Sequence, residues 1–167
     1  MSERFYAKRR AGLSPVRQDG SLVAVNVDRQ SAAAEQFGAR KFGVEFNDEV
    51  WGTHGDDGYD FTVETSRGPV RVDVVWLGFA EPYGTDRPRV SGHLIVNDEK
   101  HHPDRRADAY VVVAGTIEAG FMLLGWLAYE ELEQHGKKDF GFGMKSCCPV
   151  EKLHWFRPGT VLDEPGL

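Results

Sequence analysis

The sequence predicts a single α/β domain: a mixed central sheet with one helix ahead of it and a short helix behind it. Three observations carry this expectation. A length of 167 residues suits one domain with a sizeable core. An alanine-rich stretch, DRQSAAAEQFGARKFG, precedes two runs of strand-like alternation, DFTVET and VRVDVVW. Further on, AYVVVAG and FMLLGWL are apolar on both faces, as strands inside a covered sheet should be.

Composition excludes several classes. With 41% hydrophobic and 28% charged residues the chain is an ordinary globular protein, not a disordered, collagen-like or coiled-coil one. Twenty basic residues against 26 acidic ones give a net charge of −6. That argues against a wholly basic nucleic-acid binder, and leaves room for a local basic patch or a divalent ion between an acidic surface and phosphate. Cys147 and Cys148 are adjacent and poorly placed to staple a fold, so a reducing, cytoplasmic setting is expected. The opening MSERFYAKRRAGLSP lacks the apolar centre of a signal peptide. Ala109 to Tyr129 is long enough to cross a bilayer, yet Glu118 near its middle, three glycines and the acidic flank YEELEQ favour two buried strands joined at GTIEAG, and no membrane role.

In chain order, residues 1–27 form a basic arm carrying Arg4, Lys8, Arg9, Arg10 and Arg17, suited to contacting phosphate or simply solvated. Within it, SLVAVNV is expected as an edge strand. The core runs over 28–136. Its helix starts at a cap on Asp28 or Ser31 and ends near Gly43, with Ala33, Phe37 and Val44 along one side and Glu35 close to it. Next, Glu45 to Glu64 holds seven acids and no lysine or arginine, a density relieved by exposure or by a bound cation.

The turn SRGP, with Gly68 and Pro69, then joins two strands into a hairpin. Alternation puts Phe61 and Val63 on one face and Asp60, Thr62 and Glu64 on the other. In the second strand Val70, Val72, Val74 and Trp76 oppose Arg71, Asp73 and Val75. Asp60 and Asp73 converge if the pairing register cooperates. FAEPYGTDRPRVSG is a lid or spacer, HLIV a short strand, and NDEKHHPDRRAD a polar connection. YEELEQHG is a helix stopped at Gly136, and 137–167 wraps the same domain with little regular structure.

Glu35, Asp60 and Asp73 are the candidate site acids. Hard cations such as Mg²⁺ or Mn²⁺ take carboxylate oxygens together with water and phosphate oxygens, and phosphodiester hydrolysis uses such an ion to activate water and balance charge. Other groups carry weaker signals. His54 reads as a loop histidine, and His101 and His102 beside Arg105 and Arg106 as a solvated connection or a phosphate contact. His154 with Cys147 and Cys148 lacks the spacing of a zinc site. Trp51, Trp126 and Trp155 read as packing residues before base-stacking ones. Neither a P-loop, a dinucleotide fingerprint nor a serine-triad order is present.

The order of elements and the residues AAAEQFGARKFGVEFN, GDDGYDFTV and VRVDVVW resemble the PD-(D/E)XK nuclease superfamily, with its restriction-endonuclease-like fold. ADAYVVVAG and GFMLLGWLAYEEL are similar to small phage and prokaryotic members. The likeness spans about Ser31 to Leu132, with a weaker echo at PVEKLHWF. It implies a Mg²⁺-dependent DNA nuclease with Glu35, Asp60 and Asp73 as catalytic and metal-binding acids, for which the basic arm offers Lys8, Arg9, Arg10 and Arg17 as nucleic-acid contacts. Val75 stands where the family has its lysine, so the charge that group supplies must come from elsewhere, with Lys41, Lys100 and Lys8 as candidates. The connection after HLIV also leaves room only for a turn or short helix around Pro103 to Ala107 where the family has a second core helix. Two alternatives follow. One is a catalytically inactive nuclease-fold protein that binds nucleic acid or a protein partner, a homodimer included. The other is an unrelated α/β domain, in which Asp60 and Asp73 point apart and Glu35 is solvated.

Overall fold

The computed structural model describes residues 22–46, 58–78, 92–96, 106–141 and 143–156. Helix α1 spans Leu22–Lys41 and begins well ahead of the expected Asp28. Leu22 to Val27 are therefore its first turns and not an edge strand, and the expected boundary between arm and core at residue 27 falls inside a helix. The alternating valines mislead because their helix penalty is only about half a kcal/mol each. Each residue added to a nucleated helix gains a backbone hydrogen bond, which offsets that penalty. Asp28 and Ser31 are consequently interior, not caps, and the Ser31 hydroxyl donates to Glu35 Oε1 at 3.4 Å. The helix ends as expected. Gly43, at φ +66°, lets its own N–H reach the Arg40 carbonyl and the Val44 N–H reach the Ala39 carbonyl, closing a Schellman motif.

The hairpin forms from β1 (Phe61–Thr65) and β2 (Gly68–Leu77), with Phe61 opposite Val72 and Val63 opposite Val70. Its turn is Ser66 and Arg67, while Gly68 and Pro69 already belong to β2. The apolar runs form β4 (Ala109–Thr116) and β5 (Gly120–Ala128), an antiparallel pair, and β4 runs parallel to β2 with Val72 opposite Ala109. Adding β8 (His154–Trp155), the central sheet has the order β1-β2-β4-β5-β8. Among the described residues no helix is long and apolar enough to cross a membrane.

HLIV forms the expected short strand, β3 (His93–Val96), which lies in a second sheet together with β6 (Lys137–Asp139) and β7 (Met144–Pro149), in the order β3-β7-β6. One expectation is corrected here. The segment from Lys137 onward, expected to wrap with little regular structure, instead supplies β6, β7, a 3₁₀ turn at Val150–Lys152 and the last strand of the central sheet. β6 and β8 are too short for a period to register in the sequence, and MKSCCP in β7 does not alternate. Pairing with distant partners makes them, as where Cys148 lies opposite Leu94.

Helix α1 covers one face of the central sheet, where Ala34, Ala39 and Phe42 pack against Phe61, Val63, Val72, Val74, Val111 and Val113. On the opposite face Tyr110, Val112, Leu124 and Leu127 meet Leu94, Val96 and Cys148 of the small sheet and Leu132 of α2 (Tyr129–His135). Residues 109–115 are all buried, as a strand covered on both sides requires. Gln30 pins α1 to the β4–β5 turn, accepting from the Ile117 N–H at 2.8 Å and donating to Glu118 at 2.9 Å. The arrangement is the expected mixed α/β fold with a preceding helix and a short following one, plus a second sheet that the sequence did not announce.

Candidate functional site

The site begins where the chain enters β1. The Asp60 N–H donates to the Val72 carbonyl at 2.8 Å, and Asp60 Oδ2 accepts the Val74 N–H at 2.7 Å. The carboxylate of Asp60 thus lies against the Asp73–Val74 peptide. The β1–β2 ladder ends at the Phe61–Val72 pair, and Asp60 and Asp73 each lie one residue beyond it on their own segment. Val72 and Val74 face α1, so alternation turns Asp73 and Val75 to the other face.

All three candidate acids are withdrawn from solvent: Glu35 is 5% exposed, Asp60 7% and Asp73 4%. Burial at this level contradicts the reading in which the acids are merely solvated. The three are not equivalent in position, however. Asp60 and Asp73 are neighbours, whereas Glu35 belongs to α1, which packs on the face opposite Asp73. Among the described residues no group of three or more His, Cys, Asp or Glu side chains is gathered to hold a metal ion. The pair offers oxygen donors only, which fits Mg²⁺ or Mn²⁺, ions commonly held by one or two carboxylates. Adjacent buried carboxylates repel unless a cation, a proton or donor hydrogen bonds relieve them, and the Val74 amide is one such donor.

Val75 packs into the cluster shared with the small sheet and α2, an apolar position in this fold. Lys41 is exposed on the last turn of α1, its Nζ 5.4 Å from the Phe37 ring centroid, in the layer away from Asp73. Lys8, Arg9, Arg10, Arg17 and Lys100 lie outside the described residues, as do Trp51, His54, His101, His102 and Arg105. His154 bonds Glu131 at 2.8 Å and lies 4.5 Å, ring to ring, from Trp126. Burial acts to raise the Glu131 carboxyl, but the bonds from His154 and the Ala128 amide outweigh it and leave the group below its ordinary value. Burial also pushes the Cys148 thiol up to about 11, which keeps it protonated and a poor metal ligand.

One ion pair beside the acids was not anticipated. Arg71 donates from Nε and Nη2 to Asp108 Oδ2 and Oδ1 at 3.1 and 2.9 Å, and its backbone N–H reaches Oδ2 at 2.9 Å. The Asp108 N–H returns a bond to the Arg71 carbonyl at 2.8 Å, and the Asp108 carbonyl accepts the first N–H of α2, from Tyr129. The parallel register of β2 and β4 brings the two residues together. In sequence, only the placement of Arg71 on the Asp73 face and of Asp108 just ahead of β4 hinted at it.

The Arg71 guanidinium holds the Asp108 carboxyl below its ordinary value. A carboxylate depressed in the folded state stabilises above its unfolded pKa of about 3.9, and that contribution is lost as pH falls through the lower folded value. Asp108→Asn is therefore expected to lose on the order of 1 kcal/mol at pH 7. Its deficit should close below about pH 4. Urea titrations of both proteins across this range measure it, and a pH-independent gap would refute the ion-pair origin.

Fold and site together define a mixed α/β protein with a buried acidic pair at the entry to its central sheet. Comparison with protein-family models, curated proteins and solved structures finds no match for the chain.

Proposed function

We propose that the chain is a nuclease-like protein on a restriction-endonuclease-like fold, hydrolysing DNA phosphodiester bonds with Mg²⁺ or Mn²⁺. The observation that carries this reading is the burial of Asp60 and Asp73 just beyond the last β1–β2 pair, with the Asp60 carboxylate held against the Asp73–Val74 peptide. Two carboxylates kept out of water side by side make a place where a divalent cation is favoured. When bound, such an ion supplies Lewis-acid activation of water and offsets charge on the leaving oxygen.

In this reading Asp60 and Asp73 hold the ion and the Val74 amide orients Asp60. Glu35 remains the third acid that the resemblance implies, and Lys8, Arg9, Arg10 and Arg17 contact the DNA backbone. The two free cysteines accord with a reducing cytoplasmic setting. A second reading, favoured by the packing of Val75 into the apolar core, is a nuclease-fold protein without chemistry that binds nucleic acid or a protein partner.

Incubation with supercoiled, linear and single-stranded DNA in Mg²⁺, Mn²⁺ or EDTA, beside Asp73→Asn, tests both. Metal-dependent cleavage that falls at least about a hundredfold in the variant is the expected result. DNA retention without cleavage in any ion supports the second reading. Neither cleavage nor retention overturns hydrolysis and nucleic-acid binding together.

A further inference from the structure

The outer face of the small sheet carries a second feature. On its inner face Leu94, Val96 and Cys148 enter the core. Alternation turns His93, Ile95 and Lys145 to the other face, on which Cys147 is itself buried, with Lys138 directly across from Lys145 in the β6–β7 register. Two like charges at opposed cross-strand positions repel, and an anion lying over them relieves that repulsion. No acid occupies an outward ladder position among the described strands of this sheet. Asp139 is turned away by alternation, its Oδ1 accepting the Gly141 and Gly143 amides. An aromatic group completes the surface: the Lys138 ammonium lies 5.4 Å from the Phe140 ring centroid, and Phe140 meets the His93 ring edge-on at 5.3 Å. From Gly136 to Phe156 the chain has four lysines to two acids, in a protein whose net charge is −6.

We infer that this outer face is a docking surface for single-stranded nucleic acid. The lysine pair matches a phosphate backbone, and the half-buried Phe140 ring beside it offers stacking to a base. Bases in a duplex hide their faces, so the aromatic component selects the single strand. The inference is independent of hydrolysis, because it concerns a different layer from Asp60 and Asp73.

The test measures fluorescence anisotropy of a labelled oligothymidylate with the full chain in EDTA, against a duplex of the same length and against heparin. Wild type is expected to bind the single strand most tightly. Lys138→Gln/Lys145→Gln should weaken binding at least about tenfold and flatten the salt dependence by about 1.4 in log–log slope, from two contacts at about 0.7 each. Lys138→Arg/Lys145→Arg should retain binding, and Phe140→Leu should weaken it about fivefold or more. Circular dichroism verifies that each variant is folded. Absence of salt-dependent binding, an unchanged affinity in the folded glutamine variant, or equal affinity for duplex or heparin would each overturn the assignment.

Discussion

Replacing Gly115 with alanine is expected to lower stability by about 3–5 kcal/mol, summing backbone strain and steric overlap. Gly115 has φ +111°, a conformation an L side chain rarely adopts. A Cβ built there would stand 2.1 Å from the Gly120 carbonyl oxygen and 3.1 Å from the Phe121 Cα. Both obstacles are backbone of the facing strand, so no rotamer change relieves them. The damage falls on the β4–β5 pair, the middle of the central sheet, and on the Trp76 indole N–H that donates to the Gly115 carbonyl at 2.8 Å. Gly120→Ala is the control, since it shares a positive φ of 89° but has nothing within 4 Å of the new Cβ. It should cost only about 1 kcal/mol. Urea midpoints compare the two, and a Gly115 variant as stable as its Gly120 counterpart would show that strand contact does not matter here.

Asp60→Ala and Asp60→Asn should separate what this residue does for the fold from what it does for chemistry. Alanine removes the acceptor of the Val74 N–H and leaves that buried donor unmet, a loss of about 1–3 kcal/mol. Asparagine keeps an acceptor oxygen at the same place and removes the charge beside Asp73. Its stability should therefore lie within about 1 kcal/mol of wild type, while metal-dependent DNA cleavage falls as steeply as in Asp73→Asn. Denaturation of both variants and a cleavage assay on the asparagine form decide the matter. An alanine variant as stable as wild type would remove the structural role, and an asparagine variant that still cleaves would remove Asp60 from the proposed machinery.

Part of the site was legible because strand alternation is a local property. Once VRVDVVW is read as a strand, alternation puts Arg71, Asp73 and Val75 on the face opposite Val72 and Val74, and the structure has Val72 and Val74 against α1 and Val75 in the other layer. The inward placement of Glu35 was likewise readable from helical spacing, and its burial agrees. What covers each face was not readable. The small sheet that buries Val75 comes from β3, β6 and β7, gathered from segments that looked like loop and tail.

The sequence by itself determined the class of fold, the β1–β2 and β4–β5 hairpins, the helix ends at Gly43 and Gly136, and the side to which the residues of β1 and β2 point. These depend on backbone conformation and on a period of two or 3.6 residues, which neighbours in sequence suffice to specify. Only the tertiary structure decided that Arg71 pairs with Asp108, that β8 joins the central sheet, that Lys138 opposes Lys145, and that Glu35 belongs to the layer opposite Asp73. Each is a matter of register or layering between segments distant along the chain, set by which apolar faces bury one another.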